Sequence, residues 1–222
     1  MVADIMDELF DGVYQIDDEL ATKNLVKGAR VYGEKLIQAD GEEYRIWGPN
    51  RSKLAAAISN GMKILPIKKG SGVLYLGAAS GTTASHISDI AYQGTIYCIE
   101  FSPRGIRKLI EVCEDRMNMI PILADARNPR GYQPLLEKVD LIYQDVAQPD
   151  QSEILFKNAQ FYLKPKAHAI VAIKARSIDS VKDPEKVFQG EIKKLKRNFG
   201  VLDIVRLEPY AKDHRMLVLQ LK

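Results

Sequence analysis

The chain has 222 residues, which is long enough to bury a hydrophobic core without disulfides or a structural metal. Hydrophobic residues make up 46% of it and charged residues 27%, as in an ordinary globular protein, and no apolar run is long enough to span a bilayer. These values argue against a protein with a membrane-spanning helix. The formal net charge of +3 permits a nucleic-acid partner without requiring one.

The first eight residues lack the basic and then apolar pattern of a secretory signal, so we expect an intracellular, cytoplasmic protein. The two cysteines, Cys98 and Cys113, lie in apolar segments and form no C-x-x-C pair, which predicts core thiols. The three histidines are far apart, with no Cys, His or Glu at ligand spacing, so we expect no metal site.

Residues 1–50 contain short alternating runs at 13–16, 29–33 and 44–47, which predict strands of a small antiparallel unit. Gly48-Pro49-Asn50 breaks this pattern, and helical spacing follows over 52–62. We therefore predict a domain boundary near residue 50, with a small N-terminal β domain over 1–50 and a second domain over 51–222.

From residue 70 onward, short β-type runs alternate with helical stretches, which predicts an α/β fold with a parallel sheet. The predicted strands are 73–76, 95–100, 119–123, 139–144, 167–174, 201–207 and 216–221. The predicted helices are 82–92, 103–117, 130–137, 151–163 and 184–198. The link 208–215 is too short for a helical crossover, so the last two strands must form an antiparallel hairpin. This is the outline of the Rossmann-like, class I S-adenosylmethionine-dependent methyltransferase fold.

The first strand of this sheet ends in the turn Gly77-Ala78-Ala79-Ser80-Gly81, after which a helix begins. Ligands of such sheets bind at the carboxyl ends of the strands, and glycine lets the backbone pass close to a ligand. We expect Ser80, Thr82 or Thr83 to cap the helix while its amides face a carboxylate. The next strand ends in Glu100, in the place expected for an acid that binds ribose hydroxyls. The ligand therefore carries a nucleoside.

The presence or absence of phosphate distinguishes the two candidate nucleoside ligands, a dinucleotide and S-adenosylmethionine. The dinucleotide fingerprint G-x-G-x-x-G has a second glycine where the backbone approaches pyrophosphate, and this chain has Ala79 there. S-adenosylmethionine has no phosphate, so the turn favours it as the cofactor. A dinucleotide site, or a purely structural glycine turn, stays open at this point.

Two more carboxylates follow the next strands of the predicted sheet. Asp125 comes after the third strand, where it can meet an adenine amino group, and Asp145 ends the fourth, beside the expected methyl donor. Each alone is as consistent with a helix cap or a loop acid. With Glu100, however, three successive strands end in acids, which indicates one shared site.

A set of ordered segments resembles fibrillarin of the archaeal type, the RNA ribose 2′-O-methyltransferase of box C/D ribonucleoprotein particles. These segments are 45–56, 75–83, 97–102, 125–127, 143–149, 173–177, 208–210 and 213–214. The resemblance covers essentially the whole chain. The glycine- and arginine-rich tail of eukaryotic fibrillarins is missing, which favours the archaeal type.

The resemblance implies the site residues and the cofactor, S-adenosyl-L-methionine. The implied catalytic residues are Lys53, Asp145, Lys174 and His214. The implied cofactor-binding residues are Gly77, Ala79, Gly81, Thr82, Thr83, Glu100, Phe101, Asp125, Ala126, Asp145 and Gln148. No metal is implied.

Methyl transfer to a ribose hydroxyl requires positioning and removal of the hydroxyl proton. We expect burial and Lys53 to lower the pKa of Lys174, so that a neutral amine can serve as the base, while Asp145 orients it and opposes that shift. His214 is expected to orient the ribose or relay the proton. Which of Lys174 and His214 takes the proton stays open.

Basic residues from separate segments are expected to reach one rim of the site and hold RNA phosphates. They are Arg51, Lys53, Lys174, Arg176, Lys212 and Arg215. The basic run over 193–197 is instead expected to be the solvated face of an amphipathic helix.

The near-neutral charge predicts weak RNA binding by the chain alone, and the resemblance implies partners that supply the rest. They are a box C/D guide RNA with its target rRNA or tRNA, a Nop-type scaffold protein and a kink-turn-binding ribosomal protein. Whether the N-terminal domain mediates a homodimer or scaffold docking stays open. Two other functions are considered: a small-molecule O-methyltransferase, commonly dependent on a divalent metal, and a non-catalytic subunit of an RNA particle.

Overall fold

The computed structural model describes residues 6–222, which form two sheets and the helices between them. Residues 1–5 lie outside the described residues. They include the start of the predicted N-terminal domain and part of the segment from which the absence of a secretory signal is predicted. The first sheet has the strand order β1-β2-β3-β5-β4 and is antiparallel throughout, which confirms the predicted antiparallel unit. Its strands are β1 Met6–Phe10, β2 Val13–Ile16, β3 Glu19–Lys23, β4 Leu36–Ala39 and β5 Glu42–Ile46.

The predicted strand over 29–33 is wrong, because this segment is a loop whose backbone N–H groups bind the side chain of the next residue, Glu34. The Glu34 carboxylate accepts hydrogen bonds from the backbone N–H groups of Val31 (3.0 Å) and Tyr32 (2.9 Å). Gly33 has a φ of +85°, outside the range of a regular strand. The strands β1, β3 and β4 were not anticipated from the sequence. Short, largely polar strands carry little periodicity.

The second sheet has seven strands in the order β11-β12-β10-β9-β6-β7-β8. Its strands are β6 Val73–Leu76, β7 Ile96–Glu100, β8 Met119–Leu123, β9 Val139–Gln144, β10 Leu163–Lys174, β11 Phe199–Arg206 and β12 His214–Leu221. β12 runs antiparallel to β10 and β11, and the other neighbours are parallel. The predicted fold class and its terminal hairpin are therefore confirmed.

Helices cover both faces of this sheet. They are α1 Lys53–Ser59, α2 Thr82–Ile90, α3 Pro103–Glu114, α4 Gln151–Tyr162, α5 Ala175–Ile178 and α6 Pro184–Leu195. The helix predicted over 130–137 is a short 3-10 helix, Pro129–Leu135, because Pro134 lies inside it and cannot donate an α-helical hydrogen bond.

The core lies on both sides of the seven-stranded sheet, because β6, β7 and β9 alternate buried side chains between two helical layers. One layer packs α1, α2 and α3 against residues such as Tyr75 and Cys98, and the other packs α4 and α6 against residues such as Leu76 and Ile142. Cys98 is a buried free thiol and Cys113 is a partly buried one, as predicted. Across residues 6–222, no helix is both long and apolar enough to cross a membrane.

A buried charge network joins the N-terminal sheet to α2. Arg45 on β5 contacts Glu34 (2.7 Å from Nε to Oε1) and Asp89 on α2 (2.7 Å), and Arg116 contacts the same aspartate (2.6 Å). The side chains of these four residues are at most 1% exposed. Beside them, burial holds the pKa of His86 well below its ordinary value, so its imidazole is neutral.

The N-terminal sheet is thus joined through buried polar groups to the C-terminal half of α2, which packs on the seven-stranded sheet. The last strand of the first sheet ends at Ile46, and α1 begins at Lys53. The predicted domain boundary near residue 50 falls between them and stays a prediction.

Candidate active site

The turn after β6 takes the left-handed conformation at three alternating residues. Gly77, Ala79 and Gly81 have φ values of +82°, +50° and +86°. At Gly77 a Cβ atom would lie 3.1 Å from the carbonyl oxygen of Asp145, so the turn passes close to the end of β9. Ala79 has a side chain in a conformation that favours glycine, and its N–H donates to Glu100 Oε2 at 2.8 Å. That hydrogen bond stabilises the turn without a second glycine.

The turn delivers an uncapped helix N-terminus to the edge of the sheet. The N-cap residue of α2 is Gly81, and among residues 6–222 no side chain caps this end of the helix, so the prediction that Ser80, Thr82 or Thr83 does so is wrong. The Thr83 hydroxyl instead donates to Ser52 Oγ at 2.9 Å. Because the first N–H groups of a helix have no partner within it, this end of α2 is suited to an anion such as a carboxylate.

Glu100, at the end of β7, connects two loops of the site. One carboxylate oxygen accepts from the N–H of Ala79, and the other accepts from the N–H of Ser102 at 2.7 Å. Each oxygen keeps a further lone pair, which suits the two hydroxyls of a ribose. The next residue, Phe101, is 61% exposed and offers a free aromatic surface at the same edge.

Asp125, after β8, is held by Arg127. The guanidinium contacts Asp125 Oδ2 at 2.6 Å, and hydrogen bonding to Arg127 lowers the pKa of Asp125. Asp125 therefore stays an ionised acceptor at neutral pH, as contact with an amino group requires. The adjacent Ala126 is buried.

The reactive centre is built on Asp145, which directly follows β9. Its two carboxylate oxygens contact Lys53 Nζ (2.9 Å) and Lys174 Nζ (2.8 Å). Lys174 Nζ also donates to the backbone carbonyl of Asp145 at 2.8 Å. Lys53 comes from the start of α1 and Lys174 from the end of β10, so three elements converge on one carboxylate. A divalent metal, as used by many small-molecule O-methyltransferases, would have to compete with both lysines for these oxygens.

The charge state of Lys174 follows from its surroundings. Burial lowers the pKa of Lys174, the Asp145 carboxylate opposes this, and the second cation, Lys53, lowers it further. The side chain of Lys174 is only 13% exposed. A lysine with a lowered pKa can be a neutral amine at moderate pH, which is the property a general base needs.

His214 lies beside Lys174 because the two residues are directly paired in the β10–β12 ladder. Its Nδ1 lies 2.6 Å from the carbonyl oxygen of Lys212, which can only accept, so this nitrogen carries the proton and Nε2 is a free acceptor. Burial lowers the pKa of His214, the hydrogen bond to the Lys212 carbonyl opposes this, and the charge of Lys53 lowers it further. The imidazole is therefore neutral at neutral pH.

The predicted basic rim holds only in part. Arg215 is wrong as a rim residue: it packs on the Phe188 ring at 4.4 Å and contacts Glu185 at 3.1 Å. Successive residues of a strand face opposite sides, so Arg215 points away from the site when His214 points toward it. Arg176 is half exposed and pairs with Asp213 at 3.0 Å.

Arg51 and Lys212 are exposed, and their place on the rim stays a prediction, whereas the exposed basic helix face is confirmed. Arg51 is exposed and lies over the Tyr32 ring at 5.5 Å. In the basic run over 193–197, Leu195 is buried and the four basic residues are exposed, as expected for an amphipathic helix face.

Two polar residues of the site were not anticipated, because only the packing reveals them. Gln151, at the start of α4, accepts from the backbone N–H of Lys174 at 3.1 Å and so holds the end of β10. Ser52 supports α1 just before Lys53. Near them, Gln148 Oε1 is buried without a hydrogen-bond partner among the described residues.

These features fit the ligand that the turn predicts. An uncapped helix end suits a carboxylate, Glu100 suits ribose hydroxyls, and Gln148 offers an unpaired acceptor. The seven-stranded sheet with its terminal hairpin, and a site at the carboxyl ends of its parallel strands, define a class I S-adenosylmethionine-dependent methyltransferase.

Comparison with known proteins gives the family. The fibrillarin family model matches residues 5–222, and the chain belongs to the fibrillarin family, which confirms the resemblance. It is 56% identical over 214 residues to the fibrillarin-like rRNA/tRNA 2′-O-methyltransferase of Methanopyrus kandleri, covering 93% of this chain and 92% of the relative.

Two solved structures are similar over nearly the whole chain. The Aeropyrum pernix fibrillarin, in complex with natively bound S-adenosyl-L-methionine, has a TM-score of 0.90 and 48% identity over 99% of this chain and 100% of that one. The fibrillarin of a fibrillarin/Nop5p complex has a TM-score of 0.91 and 46% identity, with 97% and 100% covered.

Proposed function

We propose that this chain is an RNA 2′-O-methyltransferase, which transfers a methyl group from S-adenosyl-L-methionine to ribose hydroxyls of rRNA and tRNA selected by a box C/D guide RNA. The observation that carries the proposal is the convergence of Lys53 and Lys174 on Asp145, with His214 beside them, at the sheet edge that carries the cofactor turn. The activity in the name of the Methanopyrus kandleri relative supports it.

Several groups of this chain would hold the cofactor, which supplies an electrophilic methyl group when bound. The N-terminus of α2 would bind its carboxylate, and Glu100 its ribose hydroxyls. Asp125 would accept from the adenine amino group, with Phe101 against the ring, and Gln148 would accept from a remaining donor. The natively bound cofactor of the Aeropyrum pernix fibrillarin supports this assignment.

The residues around Asp145 would manage the proton of the ribose hydroxyl. The Lys174 amine, in its neutral form, would take that proton while the oxygen gains the methyl group from the sulfonium and the thioether S-adenosylhomocysteine leaves, and it would become an ammonium paired with Asp145. Lys53, by its positive charge, lowers the pKa of Lys174 and so favours the neutral amine. His214 Nε2 is an acceptor that can orient the ribose.

The proposal is tested by methyl transfer from labelled cofactor to a guided RNA. We expect Lys174→Ala to bind S-adenosylmethionine normally and to lose activity by about a hundredfold or more, the scale of a lost general base. Lys164→Ala is the matched control, since Lys164 lies on the same strand but pairs with Asp140 at the surface (2.6 Å). Near-full activity of Lys174→Ala at normal cofactor binding would remove Lys174 from the chemistry.

The partners form a second part of the proposal. A fibrillarin has been solved with Nop5p, which supports a Nop-type scaffold for this chain. The net charge of only +3 supports the need for a guide RNA and a kink-turn-binding ribosomal protein to position the substrate. We expect methyl transfer to require the guide and the scaffold, and a wild-type enzyme equally active without them would contradict this part. The cytoplasmic location and the homodimer stay predictions.

A further inference from the structure

One buried hydrogen bond connects the beginnings of the two helices that flank the site. Ser52 is the N-cap residue of α1, and its Oγ accepts from the N–H of Ala55 at 3.3 Å. The same oxygen accepts from the hydroxyl of Thr83 on α2 at 2.9 Å. Ser52 is 4% exposed and Thr83 is 7% exposed, so water competes little for this bond.

Each of these residues is next to a functional group. Lys53 directly follows Ser52 and is the first residue of α1, and its Nζ lies 2.9 Å from Asp145. Thr83 is the second residue of α2, directly after the cofactor turn, where the helix has no side-chain cap of its own. The hydroxyl pair therefore joins the anion-binding end of α2 to the residue before the lysine.

Because α1 is short, the hydrogen bond between Thr83 and Ser52 affects where the helix begins. A helix of seven residues is not stable by itself, so the position of its first turn depends on its cap and on tertiary contacts. The backbone at position 52 therefore sets where the Lys53 side chain begins, and a displacement there changes the reach of its ammonium to Asp145.

We propose that Ser52 is a positioning residue, which couples occupancy of the α2 N-terminus by the cofactor carboxylate to the placement of Lys53 against Asp145. The inference rests on the proposed function, in which that end of α2 binds the cofactor. Thr83 contributes its hydroxyl to the coupling, and its backbone N–H stays free for the ligand.

The coupling can be measured without catalysis, by amide hydrogen exchange at Ala55 followed by NMR. In the wild type we expect saturating S-adenosylmethionine to slow this exchange severalfold. Thr83→Val keeps the branched shape, the backbone N–H and the Ser52 cap but removes the hydroxyl, so the slowing should disappear. Saturation of each protein is checked by calorimetry. A response of equal size in Thr83→Val, or none in the wild type, overturns the proposal.

The catalytic consequence is tested with Ser52→Ala in the guided RNA assay. We expect kcat to fall about tenfold with little change in KM, as for a modest misplacement of a catalytic group. In a Lys53→Ala background, Ser52→Ala should lower kcat no further. A tenfold loss in both backgrounds would show that Ser52 acts independently of Lys53, and no loss in the wild-type background would equally overturn its role.

A matched control separates positioning from simple loss of a helix cap. Asp183 caps α6 by accepting from the N–H of Lys186 at 3.2 Å, and none of its side-chain hydrogen bonds within residues 6–222 involves Asp145 or either of its lysine partners. Asp183→Ala should cost comparable stability and leave kcat unchanged. If the wild type does not methylate guided RNA, the proposed function fails, whereas the exchange at Ala55 still decides whether the two helices are coupled.

Discussion

Gly77→Ala is the substitution that most directly tests how closely the cofactor turn approaches the reactive centre. The added Cβ would lie 3.1 Å from the carbonyl oxygen of Asp145 and 3.3 Å from its carbonyl carbon. The carbonyl cannot move away easily, since it accepts from Lys174 Nζ at 2.8 Å and the N–H of Asp145 donates to Leu76 at 2.9 Å.

Two costs add in this variant. An alanine in the left-handed region costs about 1 to 2 kcal/mol. Overpacking against the Asp145 carbonyl adds about 1 to 3 kcal/mol. We therefore expect the free energy of unfolding to fall by about 2 to 5 kcal/mol in urea titrations. Because the displaced carbonyl holds Lys174, we expect kcat at saturating cofactor to fall by about tenfold to a hundredfold.

Gly28→Ala is the matched control. Gly28 has a φ of +79°, close to that of Gly77, but no described atom beyond its two chain neighbours lies within 4 Å of its Cβ position. Gly28→Ala has the backbone cost but not the close contact. Its free energy of unfolding should therefore fall by only about 1 to 2 kcal/mol, and its kcat should not change. If Gly77→Ala were no less stable than Gly28→Ala and equally active, the close approach to Asp145 would not constrain the site.

Two further predictions concern the charges. Because Lys53 lowers the pKa of Lys174, we expect Lys53→Met to raise that pKa and to move the ascending limb of the kcat–pH profile to higher pH. Lys53→Arg keeps the charge and should leave the limb in place, and an unmoved limb in Lys53→Met would contradict the role of Lys53. Arg45→Leu removes the guanidinium that pairs with the buried Glu34 carboxylate and one of the two that contact Asp89, so the free energy of unfolding should fall by about 3 to 5 kcal/mol. Lys35→Leu breaks a surface ion pair (3.3 Å) and should cost less than about 1 kcal/mol in the same urea titration; equal losses would refute the role assigned to burial.

Much of the seven-stranded sheet could be predicted from the sequence, since buried strands and amphipathic helices differ in period and length. The strands at 73–76, 119–123 and 139–144 have the predicted bounds, and the link 208–215 is indeed too short for anything but a hairpin. The N-terminal sheet was predicted less well. Its strands are short and partly polar, and the Glu34 side chain captures backbone groups that a strand would have paired.

The parallel sheet also explains which site residues a linear sequence can reveal. Glu100, Asp125 and Asp145 each follow a strand, and the carboxyl ends of parallel strands lie along one edge, so the order of elements alone brings them together. The sequence thereby determined the fold class, the cofactor turn and one acidic edge.

The remaining contacts were decided by tertiary structure, because they depend on register and on packing between distant segments. His214 meets Lys174 only through the pairing of β10 with β12, and the same register turns Arg215 to the opposite face. Lys53 reaches Asp145 across 92 positions of the chain. Local sequence periodicity does not predict contacts between segments so far apart in the chain. The packing of the sheet and helices brings these side chains within hydrogen-bonding distance.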